Sequence, residues 1–260
     1  MNLYANRKRP LYEFFAIDGV SSLNFGIRIS DNGELDKKAR RDIVSQPIPG
    51  RNGELTMDNG RYENVDFNFQ CWIAEGYPVN LDGFADFLNR SHGYHVIEDT
   101  YHPGEYILAR CMAEIDPQTL SHNSGSFSVP FNRQPQRFLT RTRRHGHIYR
   151  QSAHKVLHNP TGMPALPRIE INPTNNNNTT QSTITLSLNG TLLITVTGVT
   201  SILTIDSEKR TITMNGADKI ADATFHTETE ADGFPVFGAG NTLIEWSGYA
   251  GNIYPGWWRL

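Results

Sequence analysis

Three histidines and three carboxylates occur within the range 91–105, the stretch with the strongest potential for metal chemistry. His92, His95 and His102 are the candidate ligands, because imidazole and carboxylate groups bind zinc and other divalent metals. The spacing argues against a site: a helical His-x-x-x-His pair is missing, and a glycine and a proline interrupt the stretch. We therefore interpret it as a polar loop with local hydrogen bonds, in which these histidines remain weak metal candidates.

Other patterns for catalysis are also missing. The sequence contains no Gly-x-Ser-x-Gly nucleophile turn, phosphate loop or dinucleotide fingerprint, and Cys71 and Cys111 have no motif around them. Each cysteine is better explained as a small core residue than as a nucleophile. Paired acids for sugar hydrolysis are recognised by their separation in space, so the sequence leaves them open. We expect no enzyme activity and no cofactor.

The composition limits the possible partners. The chain of 260 residues has room for one large domain or two ordinary ones, with 20% charged residues and a net charge of -3. Such a balance lacks the basic footprint of a nucleic-acid-binding protein. Two cysteines allow at most one disulfide, and free thiols in a reducing compartment are the favoured interpretation. With no stretch of 18 uncharged apolar residues and no signal pattern, we expect neither membrane insertion nor export.

The charge distribution and a proline-rich cluster suggest where the chain divides. No acidic residue lies between Pro117 and Ile169, a region that holds Arg141, Arg143 and Arg144. This basic segment is interpreted as a solvated or interface strand. The range 159–167 then combines prolines and a glycine, which oppose helix and sheet. We predict two domains, 1–158 and 159–260.

The second domain shows the alternation of an antiparallel β-sandwich. Ile184, Leu186 and Leu188 alternate with polar residues, Asn189-Gly190 follows, and Leu192, Ile194 and Val196 continue the alternation. Asn-Gly favours the positive φ angles of a type I′ hairpin turn, so these apolar residues should share one buried face.

The first domain is also predicted to be mainly strand, with one helix and one projecting segment. Leu81, Phe84, Ala85 and Leu88 follow helical spacing, which predicts a helix near 81–90 capped by Asn80 or Asp82 and ended before Gly93. The range 46–59 is rich in turn-forming residues and has little that could bury it. It is predicted to be an extended, projecting arm.

Two tryptophans near the C-terminus leave two interpretations open. Trp257 and Trp258 could form a platform for a sugar ring, or they could close the core of the sandwich from an edge strand, which is favoured.

Three stretches together resemble the distal tail proteins (Dit) of long-tailed, non-contractile phages, the siphoviruses. The first combines Pro49-Gly-Arg-Asn-Gly-Glu-Leu with Asp58-Asn-Gly-Arg-Tyr-Glu-Asn-Val, the second is Gly93-Tyr-His-Val-Ile-Glu-Asp-Thr-Tyr-His-Pro-Gly-Glu-Tyr, and the third is Trp257-Trp258-Arg259-Leu260. The likeness spans nearly the whole chain, although none of these stretches is a catalytic signature.

The resemblance implies a mainly β fold: an N-terminal domain related to tail-tube subunits, a β-barrel or sandwich with one α-helix, followed by a galectin-like antiparallel β-sandwich. It implies a virion protein of the tail tip, assembled in the cytoplasm of a bacterial host. Six copies would form a ring that joins the tail tube protein to the tail-associated lysin or fibre protein and to receptor-binding proteins during host adsorption. DNA would only pass through the channel, without specific binding.

In a closed ring, one patch of each subunit complements a different patch of its neighbour. Our interface candidates are Pro49, Arg51, Asn52, Leu55, Met57, Arg141, Arg143 and Arg144. The alternative function is a carbohydrate-binding, lectin-like surface module that uses Trp257 and Trp258. A hydrolase acting on the host wall has no motif in its favour.

Overall fold

The structure is a computed structural model that describes residues 13–31, 36–90, 92–111, 114–140, 147–150, 154–174, 180, 182–227 and 232–260. The chain divides into two compact units, residues 1–137 with Leu260, and residues 138–259. The division therefore lies before the expected boundary at residue 158. The reason is strand pairing: the strands at 147–150 and 154–159 pair with strands of the second unit.

The first unit is built around an antiparallel sheet with a single α-helix among the described residues. Its elements are β1 (Phe15–Ile17), β2 (Val20–Ser21), β3 (Ile27–Asp31), β4 (Arg41–Pro47), β5 (Glu54–Tyr62), β6 (Val65–Ile73), α1 (Val79–Asn89), β7 (His95–Asp99), β8 (Glu105–Cys111), β9 (Gln118–Ser121) and β10 (Ser124–Leu139). The main sheet has the order β2-β1-β7-β8-β10-β6-β3, with β9 alongside β10. Strands β4 and β5 form a separate two-stranded sheet.

Alternation along the strands builds the core of the first unit. In β6 every second residue, from Val65 to Ile73, is buried. Phe69 stacks on Phe15 with ring centroids 4.4 Å apart, and Phe131 of β10 meets Phe69 edge-on. Cys71 lies in this core, where burial raises the pKa of its thiol. The thiol therefore stays protonated and behaves as a small apolar group.

The helix packs on the sheet through the predicted apolar stripe. Leu81 and Phe84 are buried, and the Phe84 ring lies edge-on to Phe15 at 6.0 Å. The observed caps differ from the expected ones: α1 begins after Pro78 and ends at the cap residue Arg90, so Asn80 and Asp82 lie inside the helix. Asn80 instead donates its side-chain amide to the Glu75 carbonyl.

The second unit contains two antiparallel sheets. Its strands are β11 (His147–Arg150), β12 (His154–Asn159), β13 (Arg168–Asn172), β14 (Thr183–Leu188), β15 (Thr191–Thr197), β16 (Leu203–Asp206), β17 (Thr211–Met214), β18 (Ala217–Asp218), β19 (Ala223–Phe225), β20 (Gly240–Trp246), β21 (Ala250–Tyr254) and β22 (Trp258–Arg259). One sheet has the order β11-β21-β13-β16-β17-β18 and the other β12-β20-β14-β15-β19. Both contribute to one apolar core, to which Ile171, Ile194, Ile205 and Ile244 belong.

The predicted hairpin forms with one correction. Asn189 and Gly190 both have positive φ angles, 50° and 81°, as a type I′ turn requires. However, the register shifts within β14–β15, so that Leu186 faces Ile194 while Ser187 faces Leu192. The extra residue, Leu193, turns into the core, and Leu192 is left exposed instead of buried. A bulge of this kind reverses which side chain faces inward, and alternation alone cannot reveal it. The protein is mainly β throughout, as predicted.

Candidate interaction surface

The segment predicted to project is a β-hairpin, which we call the arm and define as Arg41–Tyr62. Strands β4 and β5 pair with each other and belong to none of the three larger sheets in the described part of the chain. The connecting loop reverses through Gly50 and Gly53, whose φ angles are 78° and 90°, and the Arg51 N–H donates to the Ile48 carbonyl at 3.2 Å. Positive φ angles are readily adopted by glycine, which explains the turn-rich sequence at this tip.

One face of the arm is apolar and exposed. Val44 faces Met57 and Gln46 faces Leu55 in the register, so these four side chains lie on the same face. Val44, Leu55 and Met57 are 45%, 50% and 49% exposed. A two-stranded hairpin alone is marginally stable in water, and its apolar face gains stability only when another surface covers it. The arm is therefore a candidate docking element.

Ion pairs across the hairpin hold its two strands in register. Arg41 contacts Asp58 at 2.8 Å, Arg61 contacts Asp42 at 2.7 Å, and Arg40 pairs with Glu63. The pKa of Asp58 is lowered by a hydrogen bond from the Gly60 N–H and then by Arg41. The pKa of Asp42 is lowered mainly by the hydrogen bond from Arg61. Each exposed ion pair contributes little free energy of folding. These pairs therefore fix the register of the two strands but do not supply the stability that a buried apolar core would give.

The base of the arm is tied to the main sheet by a buried arginine. Arg133 of β10 is only 1% exposed, and its guanidinium donates to the carbonyls of Lys37, Gln134 and Pro135 at 2.5, 3.1 and 3.1 Å. Burial lowers its pKa to about 10, with a smaller contribution from the nearby charge of Arg137. These carbonyl acceptors compensate the buried guanidinium for its lost hydration.

The strand that leaves the arm is fixed as well. The Asn64 amide donates to the Tyr94 hydroxyl and to the Asn132 side-chain carbonyl, both at 2.7 Å. Together with the Arg133 contacts, these bonds hold both ends of the hairpin while its tip stays exposed. A hairpin with a fixed base and an exposed apolar face is suited to docking, because a pre-positioned element loses less conformational entropy on binding than a flexible loop does.

Five of the predicted interface residues lie on the arm and are exposed: Pro49, Arg51, Asn52, Leu55 and Met57. The other three, Arg141, Arg143 and Arg144, lie outside the described residues. Val44 and the buried anchor Arg133 were not among the predicted residues. A signal for Arg133 exists in β10, because Phe127, Val129 and Phe131 alternate and the next inward position is 133.

The histidines of this stretch contact acids, of which only Asp99 is near in sequence. The expected polar loop with local hydrogen bonds is therefore only partly found, because His95–Asp99 forms strand β7. His95 contacts Asp18 at 2.6 Å, and His102 contacts both Asp99 and Asp36. His92 and His95 line a cavity of about 780 Å³ beside the end of α1. Within the part of the chain that the structure describes, no group of three or more His, Cys, Asp or Glu side chains could hold a metal ion.

The tryptophans occupy the positions of structural residues. Trp257 is 4% exposed and packs against Phe237 with ring centroids 5.7 Å apart, and the Trp258 indole N–H donates to the Pro164 carbonyl at 2.8 Å. A sugar platform needs an open ring face, and Trp257 has none. The burial of Trp257 therefore favours the interpretation in which this indole closes the core.

Among the described residues, no helix has the length and apolar character needed to cross a bilayer.

Comparisons with known proteins give matches among solved structures. No family model and no curated protein sequence matches this chain. Its structure is similar to the crystal structure of the Dit protein of phage SPP1, described as a paradigm of the hub adsorption apparatus in phages that infect Gram-positive bacteria. The TM-score is 0.67 and the identity 11%, over 93% of this chain and 97% of that one. At this identity the similarity shows a shared, Dit-like fold.

Proposed function

We propose that this chain, which has a Dit-like fold, is a structural hub of a siphovirus tail tip and not an enzyme. Six copies form a ring that joins the tail tube protein to the tail-associated lysin or fibre protein and to receptor-binding proteins. The observation that carries the proposal is the similarity of fold to a hub protein over 93% of the chain. A likeness confined to a single sandwich would support much less, because sandwich folds serve many functions.

The arm supports the ring. Copies in a closed ring contact each other through two different patches, one of which fits the other on the neighbour. Val44, Leu55 and Met57 form an exposed apolar face on a hairpin that lies outside the three larger sheets that the structure describes. Covering this face by an adjacent copy would remove apolar surface from water and stabilise the hairpin at the same time.

The charge of the chain supports passage of DNA without retention. Each phosphate contact adds affinity, so a channel that releases DNA has to avoid dense basic patches. The net charge of the chain is -3, and three of its basic residues, Arg40, Arg41 and Arg61, are paired with acids of the arm or its base. The proposed hub encloses DNA in its ring and recognises no sequence.

The test shortens the arm without altering its base. Residues 45–56 are removed and Val44 is joined to Met57 through Asn-Gly, which keeps the Val44–Met57 register pair and the Arg41–Asp58 ion pair. Light scattering of the purified protein should show a hexamer for the unmodified chain and a folded monomer for the shortened one. Equal thermal unfolding of the second unit in the two proteins shows that the rest of the fold is intact. A hexamer that survives the shortening would exclude the arm from the interface.

A further inference from the structure

A second contact at the base of the arm is made by a histidine side chain. The chain enters the arm through residues 36–40, which we call the entry segment. His102, in the turn between β7 and β8, lies between two carboxylates: its Nδ1 is 2.9 Å from Asp99 Oδ1, and its Nε2 is 3.0 Å from Asp36 Oδ1. The His102 backbone N–H also donates to Asp99 Oδ1, at 2.8 Å. One imidazole thus links the entry segment to the main sheet.

The protonation state of this link follows from counting donors. Ionised carboxylates only accept hydrogen bonds, and a neutral imidazole carries a single N–H. Both ring nitrogens of His102 face carboxylate oxygens, so both bonds can form only when the ring carries two protons. The Asp99 carboxylate is 3% exposed and held by two donors of His102, whereas Asp36 is 71% exposed. When the ring loses a proton, the bond to Asp36 is therefore the weaker one and the one given up.

The groups around the His102 imidazole carry charges of both signs. Arg137 of β10 is buried and interacts electrostatically with both Asp99 and Asp36. Lys38 of the entry segment also acts on Asp36, and Glu105 is buried at the start of β8. The pKa of Asp36 is lowered, first by its hydrogen bond with His102 and then by the charges of His102, Arg137 and Lys38, while burial opposes this. Asp36 therefore stays ionised and able to accept down to a lower pH than an ordinary aspartate.

We infer that His102 is a positioning residue for the arm: its doubly protonated ring links Asp36 to Asp99 and fixes the direction of the entry segment. The role of the arm as the ring contact rests on the function proposed above, whereas the link itself is a property of the single chain. Loss of one imidazole proton from His102 releases Asp36, loosens the entry segment and reduces the preorganisation of the arm for binding a neighbouring subunit. Assembly of the six-subunit ring then weakens as the pH rises.

The experiment measures hydrogen exchange of the peptide 36–44 in dilute, monomeric full-length protein at about pH 6 and about pH 8.5, after correction for the intrinsic rate. Protection should fall about fivefold at the higher pH, as expected when one charged hydrogen bond at a partly exposed site is lost. The ¹⁵N shifts of the His102 ring should report two protonated nitrogens at the lower pH and one at the higher pH.

The Asp36→Asn variant separates this account from a general loosening of the fold. A side-chain amide can donate to the unprotonated Nε2 of a neutral ring, so the link should survive at the higher pH and its pH dependence should disappear. His102→Gln should lower protection at both pH values. Asp86→Asn, at an exposed position on α1, is the matched control and should behave like the unmodified chain.

Two results would overturn the inference: equal protection of peptide 36–44 at both pH values in the unmodified chain, or an unchanged pH dependence in Asp36→Asn. Light scattering at the same two pH values tests the proposed function separately. If peptide 36–44 shows the expected pH-dependent protection but no hexamer forms at either pH, the His102 link stands and the proposed hub is contradicted. If a hexamer forms but the protection of peptide 36–44 does not depend on pH, the hub stands and the His102 link is contradicted.

Discussion

Two hairpins of this chain have the same local design and opposite surroundings. In β14–β15 the inward side chains Ile184, Leu186 and Ile194 are buried beneath the other sheet of the sandwich. In the arm, β4–β5, nearly every residue is exposed, including the apolar Val44 and Met57. Both are antiparallel pairs closed by glycine-containing turns.

The difference shows what stabilises each hairpin. The β14–β15 hairpin gains free energy from apolar area removed from water within its own chain. The arm depends on cross-strand ion pairs and on its fixed base, which hold a shape without supplying a core. An exposed hairpin with a fixed register is what a docking element needs, since its apolar face remains accessible to another molecule.

The largest effect is expected in the sandwich. Trp257→Ala removes a buried indole that packs on Phe237 and should lower the free energy of unfolding by about 3–5 kcal/mol. Denaturant unfolding monitored by circular dichroism measures this loss. A stability change below about 1 kcal/mol would mean that the indole is not part of the core.

A matched pair of substitutions compares the two hairpins directly. Ile194→Ala in β15 should cost about 2–5 kcal/mol of unfolding free energy, because Ile194 is fully buried. Val44→Ala in β4 removes a half-exposed side chain and should change the stability of the monomer by less than about 0.5 kcal/mol. Denaturant titration of both variants provides the comparison. Similar losses in the two would show that the arm is covered within its own chain.

Polar substitutions in the arm should affect assembly while leaving the fold unchanged. The double variant Leu55→Ser, Met57→Ser keeps the backbone pairing but removes most of the apolar face. The protein concentration below which the six-subunit ring dissociates should therefore rise by about tenfold or more. Analytical ultracentrifugation measures this shift. Leu120→Ser, which changes an exposed leucine of β9, is the control and should assemble normally. Equal weakening by both variants would remove the special role of the arm.

The smallest effect concerns the ion pairs of the arm. The folded arm holds the pKa of Asp42 and Asp58 below their ordinary value of 3.8. Their stabilising contribution is therefore present above that pH and is lost as the pH falls through the lowered values. Carboxyl ¹³C shifts followed during an acid titration should give midpoints below 3.8 for both residues. Midpoints at or above that value would show that the pairs do not form in solution.

Much of the fold could be predicted from local patterns, because each pattern reports a local cause. Helical spacing found α1 within two residues at its start, and Asn189-Gly190 found the turn of the sandwich hairpin. Leu193 could not be predicted to be buried, because a bulge depends on the partner strand. The predicted boundary places residues 154–158 in the first domain although they pair with β20, because composition does not tell which sheet a strand joins.

Only part of the candidate interaction surface can be predicted from the sequence. The turn residues of the arm predicted a projecting segment, and five interface candidates lie on it. The anchors Arg133 and His102 come from elements distant in sequence from the entry segment, and a fully buried guanidinium is rare enough that composition argues against it. Such contacts become apparent only when the strands are placed together.

The mass of the purified protein tests the central claim most directly. The account predicts a closed ring of six copies of the 29.3 kDa chain, about 176 kDa, by light scattering or native mass spectrometry. A single-chain species of 29.3 kDa that persists at micromolar and higher concentrations, at both acidic and alkaline pH, would contradict it.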